Sequence, residues 1–218
     1  MPKTHYFTKN NILAKSVEML LDVNNSVHLR VKPVMPDKSA LLVVDMQKYF
    51  TDKHSKAFIP SSEAIISNIN CLIDLFKGYD RPVIFTKHVN NEQNIGLIAD
   101  WWQDTTKPVE ESFELAPLLD ASDALIVEKA QYDAFYGTNP EDVLHENDVQ
   151  QLFITGVMTH ICCETTARSA FVRKFQPFMV VDATATQNED FHRSSMLNLG
   201  HSCCALTLTQ NVIGEFGG

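Results

Sequence analysis

From residue 39 onward, short and nearly unbroken apolar runs alternate with helix-patterned segments, and this restricts the fold more than anything else in the chain. The runs are Leu41-Leu42-Val43-Val44, Pro82–Thr86, Ala124–Val127, Gln151–Thr155, Pro177–Val181 and Ala205–Leu208. Continuous apolar runs of this length suit strands buried on both faces, where no solvent side requires alternate polar residues. Between the first two, Ala64, Ile65, Ile69, Leu72, Ile73 and Phe76 recur at helical spacing, in a segment (Ser62–Tyr79) that opens at a serine and stops at Gly78. Further helices are expected over Pro140–Glu146, Cys162–Lys174 and Glu189–Leu199. Repeated β-α-β units predict an α/β protein of three layers, a mostly parallel sheet of about six strands with helices on both faces. The stretch His88–Glu114 interrupts the rhythm and reads as a long connection with a short helix, a kind of loop that is often functional. Residues 1–38 are weakly patterned and read as an N-terminal extension, with a helix near Ile12–Leu21, lying against a domain over 39–218.

Composition narrows the function classes. With 218 residues, 44% of them hydrophobic, the chain supports one sizeable core more readily than two. No apolar run approaches the roughly 18–20 residues of a membrane span. No apolar core followed by a cleavage site opens the sequence, so a cytoplasmic protein with no membrane partner is expected. The formal charge of -9 argues against nucleic acid as a partner. Five cysteines, as Cys71 and the vicinal pairs Cys162–Cys163 and Cys203–Cys204, fit neither a disulfide framework nor a zinc site. All but Cys162 read as small buried hydrophobes. No Gly-x-Gly-x-x-Gly follows a strand, which removes the dinucleotide-binding reading, and no cofactor is expected.

Three reactive residues take equivalent places in the scheme. Asp45 ends the first strand, Lys129 lies at the end of the third, and Cys162 sits beyond the fourth at a helix start. Ligands of open parallel sheets bind outside the carboxyl ends of the strands. Singly, Asp45 could cap a turn, Lys129 could be solvated and Cys162 could pack. Together at one sheet edge they read as a cysteine-nucleophile site, with the helix start and Lys129 both favouring thiolate. On that reading Cys162 is the most reactive of the five thiols.

The segments Leu41-Leu42-Val43-Val44-Asp45-Met46-Gln47, Glu128-Lys129, Thr155-Gly156-Val157-Met158-Thr159-His160-Ile161-Cys162-Cys163-Glu164-Thr165-Thr166-Ala167-Arg168, and Pro177-Phe178 with Val181-Asp182-Ala183 resemble the isochorismatase-like cysteine hydrolases. The resemblance runs over about residues 38–210, and its Gly-Val-x-Thr-x-x-Cys segment is the specific part. It implies a Rossmann-like fold, a homodimer or homotetramer, Cys162 as nucleophile, Asp45 as general base and Lys129 as the cation beside the thiolate. It also implies a cis peptide between Val157 and Met158 that aims the N–H groups of Met158 and Cys162 into an oxyanion hole. The reaction implied is hydrolysis of a small amide or ureido substrate through a cysteine thioester.

Signals within that family conflict. Nicotinamidase members bind a metal through Asp-x-His after the second strand, where this chain has Lys87-His88-Val89-Asn90, so no metal is expected. Asp45–Phe50, Gly96-Leu97 with Asp100-Trp101-Trp102, and Tyr132–Phe135 resemble true isochorismatases, which hydrolyse a vinyl ether and generally lack the cysteine. Asp45 acting as an acid in that reaction is therefore the alternative, and a non-catalytic binding protein on the same fold is a third reading. His88 falls where isochorismatases place a polar substrate contact, though it also reads as an exposed loop histidine. Phe50, Trp102 and Phe135 are candidate pocket walls, or else core packing.

Overall fold

Every apolar run forms a strand, and the first and fourth occupy the middle of the sheet. The computed structural model describes residues 2–30, 32–102 and 110–217. In chain order the elements are α1 (Ile12–Val27), β1 (Ser39–Val44), α2 (Lys48–Thr51), α3 (Ser62–Gly78), β2 (Val83–His88), α4 (Leu97–Trp102) and β3 (Leu125–Lys129). There follow α5 (Pro140–Glu146), β4 (Gln151–Val157), a π-helical turn (Thr159–Cys163), α6 (Glu164–Val172), β5 (Gln176–Ala185), α7 (Glu189–Ser202), β6 (Ala205–Thr207) and α8 (Thr209–Phe216). The six strands form one sheet in the order β3-β2-β1-β4-β5-β6, with every pairing parallel. β1 and β4 are buried at every residue, as unbroken apolar runs require. β3 lies at one edge, and its Leu125 and Ile126 are exposed although the run reads as apolar.

The chain builds outward from β1 through β2 to β3, then returns to place β4 on the other side of β1. The order therefore reverses between β1 and β4, which is where such sheets open a crevice at their carboxyl ends. Close approach of these two strands depends on Gly156, paired with Val44. It has φ +102°, and a Cβ there would lie 2.1 Å from the Val44 carbonyl oxygen, so no other residue fits.

The N-terminal segment is more than an extension lying against the domain. Tyr6, Phe7, Ile12, Met19 and Val23 belong to the same buried core as the sheet. The helix runs past the expected Leu21 to Val27, ending where His28 adopts φ 50° and its N–H bonds to the Asn24 carbonyl. At the other terminus α8 was not anticipated. Its first N–H is capped from β5, where Asp182 Oδ1 accepts from Thr209 N at 2.8 Å and Thr209 Oγ1 at 2.9 Å.

Candidate active site

Directly after β1 comes Asp45, whose backbone turns sharply with φ 49°, a left-handed conformation that aspartate tolerates better than most residues. The turn buries the carboxylate over the carboxyl end of the sheet. Thr86 on β2 fixes it from both sides: its hydroxyl accepts from Asp45 N–H at 3.1 Å and donates to Asp45 Oδ1 at 2.6 Å. The other oxygen, Oδ2, accepts from Lys129 Nζ at 2.6 Å, and both side chains are fully buried.

Lys129 comes from β3, two strands from β1, or roughly 10 Å at the usual spacing. The long lysine side chain covers that gap over the end of β2. Its ammonium donates also to the Gln131 carbonyl at 3.0 Å and lies 3.5 Å from His88 Nδ1. His88 is paired with Lys129 in the β2–β3 register, so the two arrive at the same level. Burial pushes the Lys129 pKa down, but the charges and hydrogen bonds of Asp45 and Cys162 together outweigh it, so the pKa is raised and the ammonium stays charged. Burial, reinforced by the Lys129 charge, pushes His88 down to about 4 and keeps it neutral near pH 7.

Cys162 closes the site from the other side of the switch point. It sits on the π-helical turn after β4, is 3% exposed, and has its sulfur within 4.8 Å of a carboxylate oxygen of Asp45 and a ring nitrogen of His88. The Val157–Met158 peptide that leads into this turn is cis. Burial, opposed by Lys129 but aided by Asp45, pushes the Cys162 thiol up to about 12. The cation is present, but burial outweighs it and the neighbouring carboxylate adds to the burial. The site rests as thiol, ammonium and neutral imidazole around the Asp45 carboxyl group.

Asp45, His88 and Cys162 offer an oxygen, a nitrogen and a sulfur close enough to hold a metal. Lys129 Nζ already bonds to Asp45, lies 3.5 Å from His88 and interacts with Cys162, so an ammonium fills the cationic role among them.

A cleft of about 970 Å³ lies over the ends of β2 and β3, lined among others by Asn91, Asn94, Lys129, Gln131, Tyr132 and Tyr136. Asp45 and Cys162 are buried and do not line it. Of the expected substrate contacts, only His88 joins the reactive group. Trp102 donates from Nε1 to the hydroxyl of Tyr132 at 2.8 Å, at the rim of the cleft. Phe50 is buried edge-on against Tyr49. Phe135 stacks on Phe175 with the Arg173 guanidinium above it, and neither it nor Phe50 lines the cleft.

Two contributors escaped the sequence reading. Thr86 looks like ordinary strand filler, yet it orients Asp45. Gln47 accepts from His88 N–H at 2.7 Å and donates to the carbonyls of His88 and Phe113 at 3.3 and 3.2 Å, holding the β2 end against the following connection. A fully buried glutamine beside a buried aspartate is the signal, but burial is not written in one sequence.

Comparison with known proteins places the fold in a family. The isochorismatase domain matches residues 39–211. Nicotinamidase 3 of Arabidopsis thaliana is 35% identical over 74% of this chain and 80% of its own length. Enterobactin synthase component B of Escherichia coli (strain K12) is 34% identical over 82% of this chain, which spans 63% of that protein. The crystal structure of a cysteine hydrolase from Pseudomonas syringae pv. phaseolicola 1448A superposes with a TM-score of 0.82 at 26% identity, over 88% of this chain and 98% of that one. Domain match, relatives and fold converge, and the chain belongs to the isochorismatase family of hydrolases.

Proposed function

We propose that this chain hydrolyses a small, uncharged amide or ureide through a thioester on Cys162. The observation that carries the reading is the meeting of the Cys162 thiol with the Asp45 carboxyl group and the Lys129 ammonium at the switch point of the sheet. Asp45 takes the thiol proton as the sulfur attacks the carbonyl carbon. The N–H groups of Met158 and Cys162 hold the resulting oxyanion. Asp45 then passes its proton to the leaving nitrogen, and the C–N bond breaks to leave an acyl-Cys162 thioester. A water deprotonated by Asp45 attacks the thioester, expelling the thiolate, which recovers a proton from Asp45 as the acid departs. Lys129 offsets the negative charge shared between Asp45 and Cys162 throughout.

A vinyl-ether reaction is the second reading, favoured by the 34% identity with enterobactin synthase component B. Isochorismate carries two carboxylates, however. Among the described cleft residues the one cation is Lys129, already paired with Asp45, whereas Glu128 and Asp133 are acidic. Such a lining favours a neutral ligand.

A hydrolysis screen of small amides, ureides and isochorismate identifies a substrate for the decisive pair of variants. Cys162→Ala and Asp45→Asn should each lose about three orders of magnitude in kcat, with an acyl adduct on Cys162 of the wild type seen by intact-protein mass spectrometry. Near-normal turnover in Cys162→Ala beside an inactive Asp45→Asn would instead establish the vinyl-ether chemistry.

A further inference from the structure

The reactive turn is held from outside the matched domain. Residues 2–11 precede that domain and cross the molecule beside the end of β5, where Thr4 N–H donates to the Gln187 carbonyl at 2.8 Å. Phe7 N–H donates to Ser61 Oγ at 3.0 Å, which fastens the segment to the start of α3. Between these anchors Tyr6 is buried, with its hydroxyl placed among three elements. Its oxygen accepts from Thr186 N–H at 3.0 Å, so its proton is directed to His192 Nδ1 on α7 at 2.8 Å. The same Nδ1 lies 3.4 Å from Thr159 Oγ1, on the first residue of the π-helical turn. The next residue, His160, is bonded through Nδ1 to Thr186 Oγ1 at 2.5 Å and stacks on Phe191. Thr159 directly follows Met158 and lies on the same turn as Cys162.

We propose that Tyr6 is a positioning residue for the reaction: its hydroxyl, through His192 and Thr186, sets the turn that places the Met158 N–H and the Cys162 sulfur. This rests on the thioester reading above for the roles of those two groups. The tie is a single hydroxyl joining the end of β5 to His192 of α7, which in turn reaches Thr159 of the turn. The tyrosine ring, packed 4.6 Å from Phe7 and 5.6 Å from His192 between centroids, would stay in place without it. Removing the oxygen leaves Thr186 N–H without its acceptor and His192 Nδ1 without its nearer donor, while the hydrophobic packing is retained.

Tyr6→Phe separates positioning from mere stability. Amide exchange over residues 157–163 should quicken about tenfold while exchange in α3 stays as in the wild type. On a substrate that the wild type turns over, kcat should fall about tenfold with KM within a factor of two, as misplacement of reacting groups produces. Thr159→Val cuts the same link from the turn side and should reproduce both effects, which keeps the test open if Tyr6→Phe folds poorly. Phe216→Leu, which loosens the core packing against Phe76 and Phe153 and leaves the hydroxyl in place, should lower the melting temperature and leave kcat unchanged. Wild-type exchange over 157–163 in Tyr6→Phe, or faster exchange with kcat unaltered, overturns the proposal. Full activity of Cys162→Ala would refute the thioester reading instead, and the exchange data would still report on the tie.

Discussion

Burial governs the chemistry of the individual residues here. Cys71 and Cys203 were expected to be buried, yet Cys71 is exposed and Cys203 half-buried, whereas Cys162 is enclosed and its thiol is pushed up to about 12. A free thiol reacts through its thiolate, so a site that suppresses ionisation and access together slows alkylation. Iodoacetamide at neutral pH should therefore label Cys71 ahead of Cys162, the reverse of the order expected from the sequence, with Cys162 reacting readily only in denaturant. Peptide mass spectrometry during the titration gives the order, and early labelling of Cys162 would show that Lys129 prevails over burial. The positions of Asp45, Lys129 and Cys162 were legible because strand ends can be counted from apolar runs. The balance between a neighbouring cation and burial was not, since it depends on how the surrounding elements close over the sulfur. Thr86 and Gln47 were hidden for the same reason: their importance lies in the residues they face.

Elements with strong internal periodicity were legible almost to their ends. α3 matches its apolar pattern, and α5 begins and ends as expected. Those that depend on partners were not. β5 continues to Ala185, four residues beyond its apolar run, because Thr184 and Ala185 pair with Gly156 and Val157 of β4. α8 is short, contains Gly214, and is stabilised from another element through Asp182. Replacing Asp182 with Ala should therefore cost about 1–2 kcal/mol, the usual effect of losing a helix cap, with little change in kcat. Urea unfolding followed by circular dichroism measures it, and an unchanged midpoint would mean that Asp182 adds nothing to α8.

Buried neutral histidines make the stability of the whole molecule depend on pH. Burial holds His192 down to about 3 and His88 to about 4, whereas an unfolded chain protonates histidine near the ordinary value of about 6.5. Between those limits the unfolded state binds protons that the folded state refuses, so stability rises with pH there and is fully present above about pH 7. At pH 5 the loss is about 2 kcal/mol for each group. Denaturant unfolding at pH 5, 6 and 7 should show the decline, and His192→Asn should show a shallower one. Equal slopes for the two proteins would mean that His192 is protonated while folded. The parallel α/β sheet was legible from the alternation of runs, but its strand order and the share of the core supplied by the N-terminal segment were not. Tyr6 and Phe7 stand outside any helical or strand repeat and are buried by tertiary contact alone.

The Asp45–Lys129 pair also bears on how a ligand arrives. The two charges cancel within a bond length of 2.6 Å, and the thiol and imidazole beside them are neutral. The reaction centre thus presents no net charge, although the chain carries -9. For an uncharged amide, neither that local site nor the surface field offers long-range attraction. Encounter is then governed by diffusion and by the opening of the cleft, and ionic strength has little hold on it.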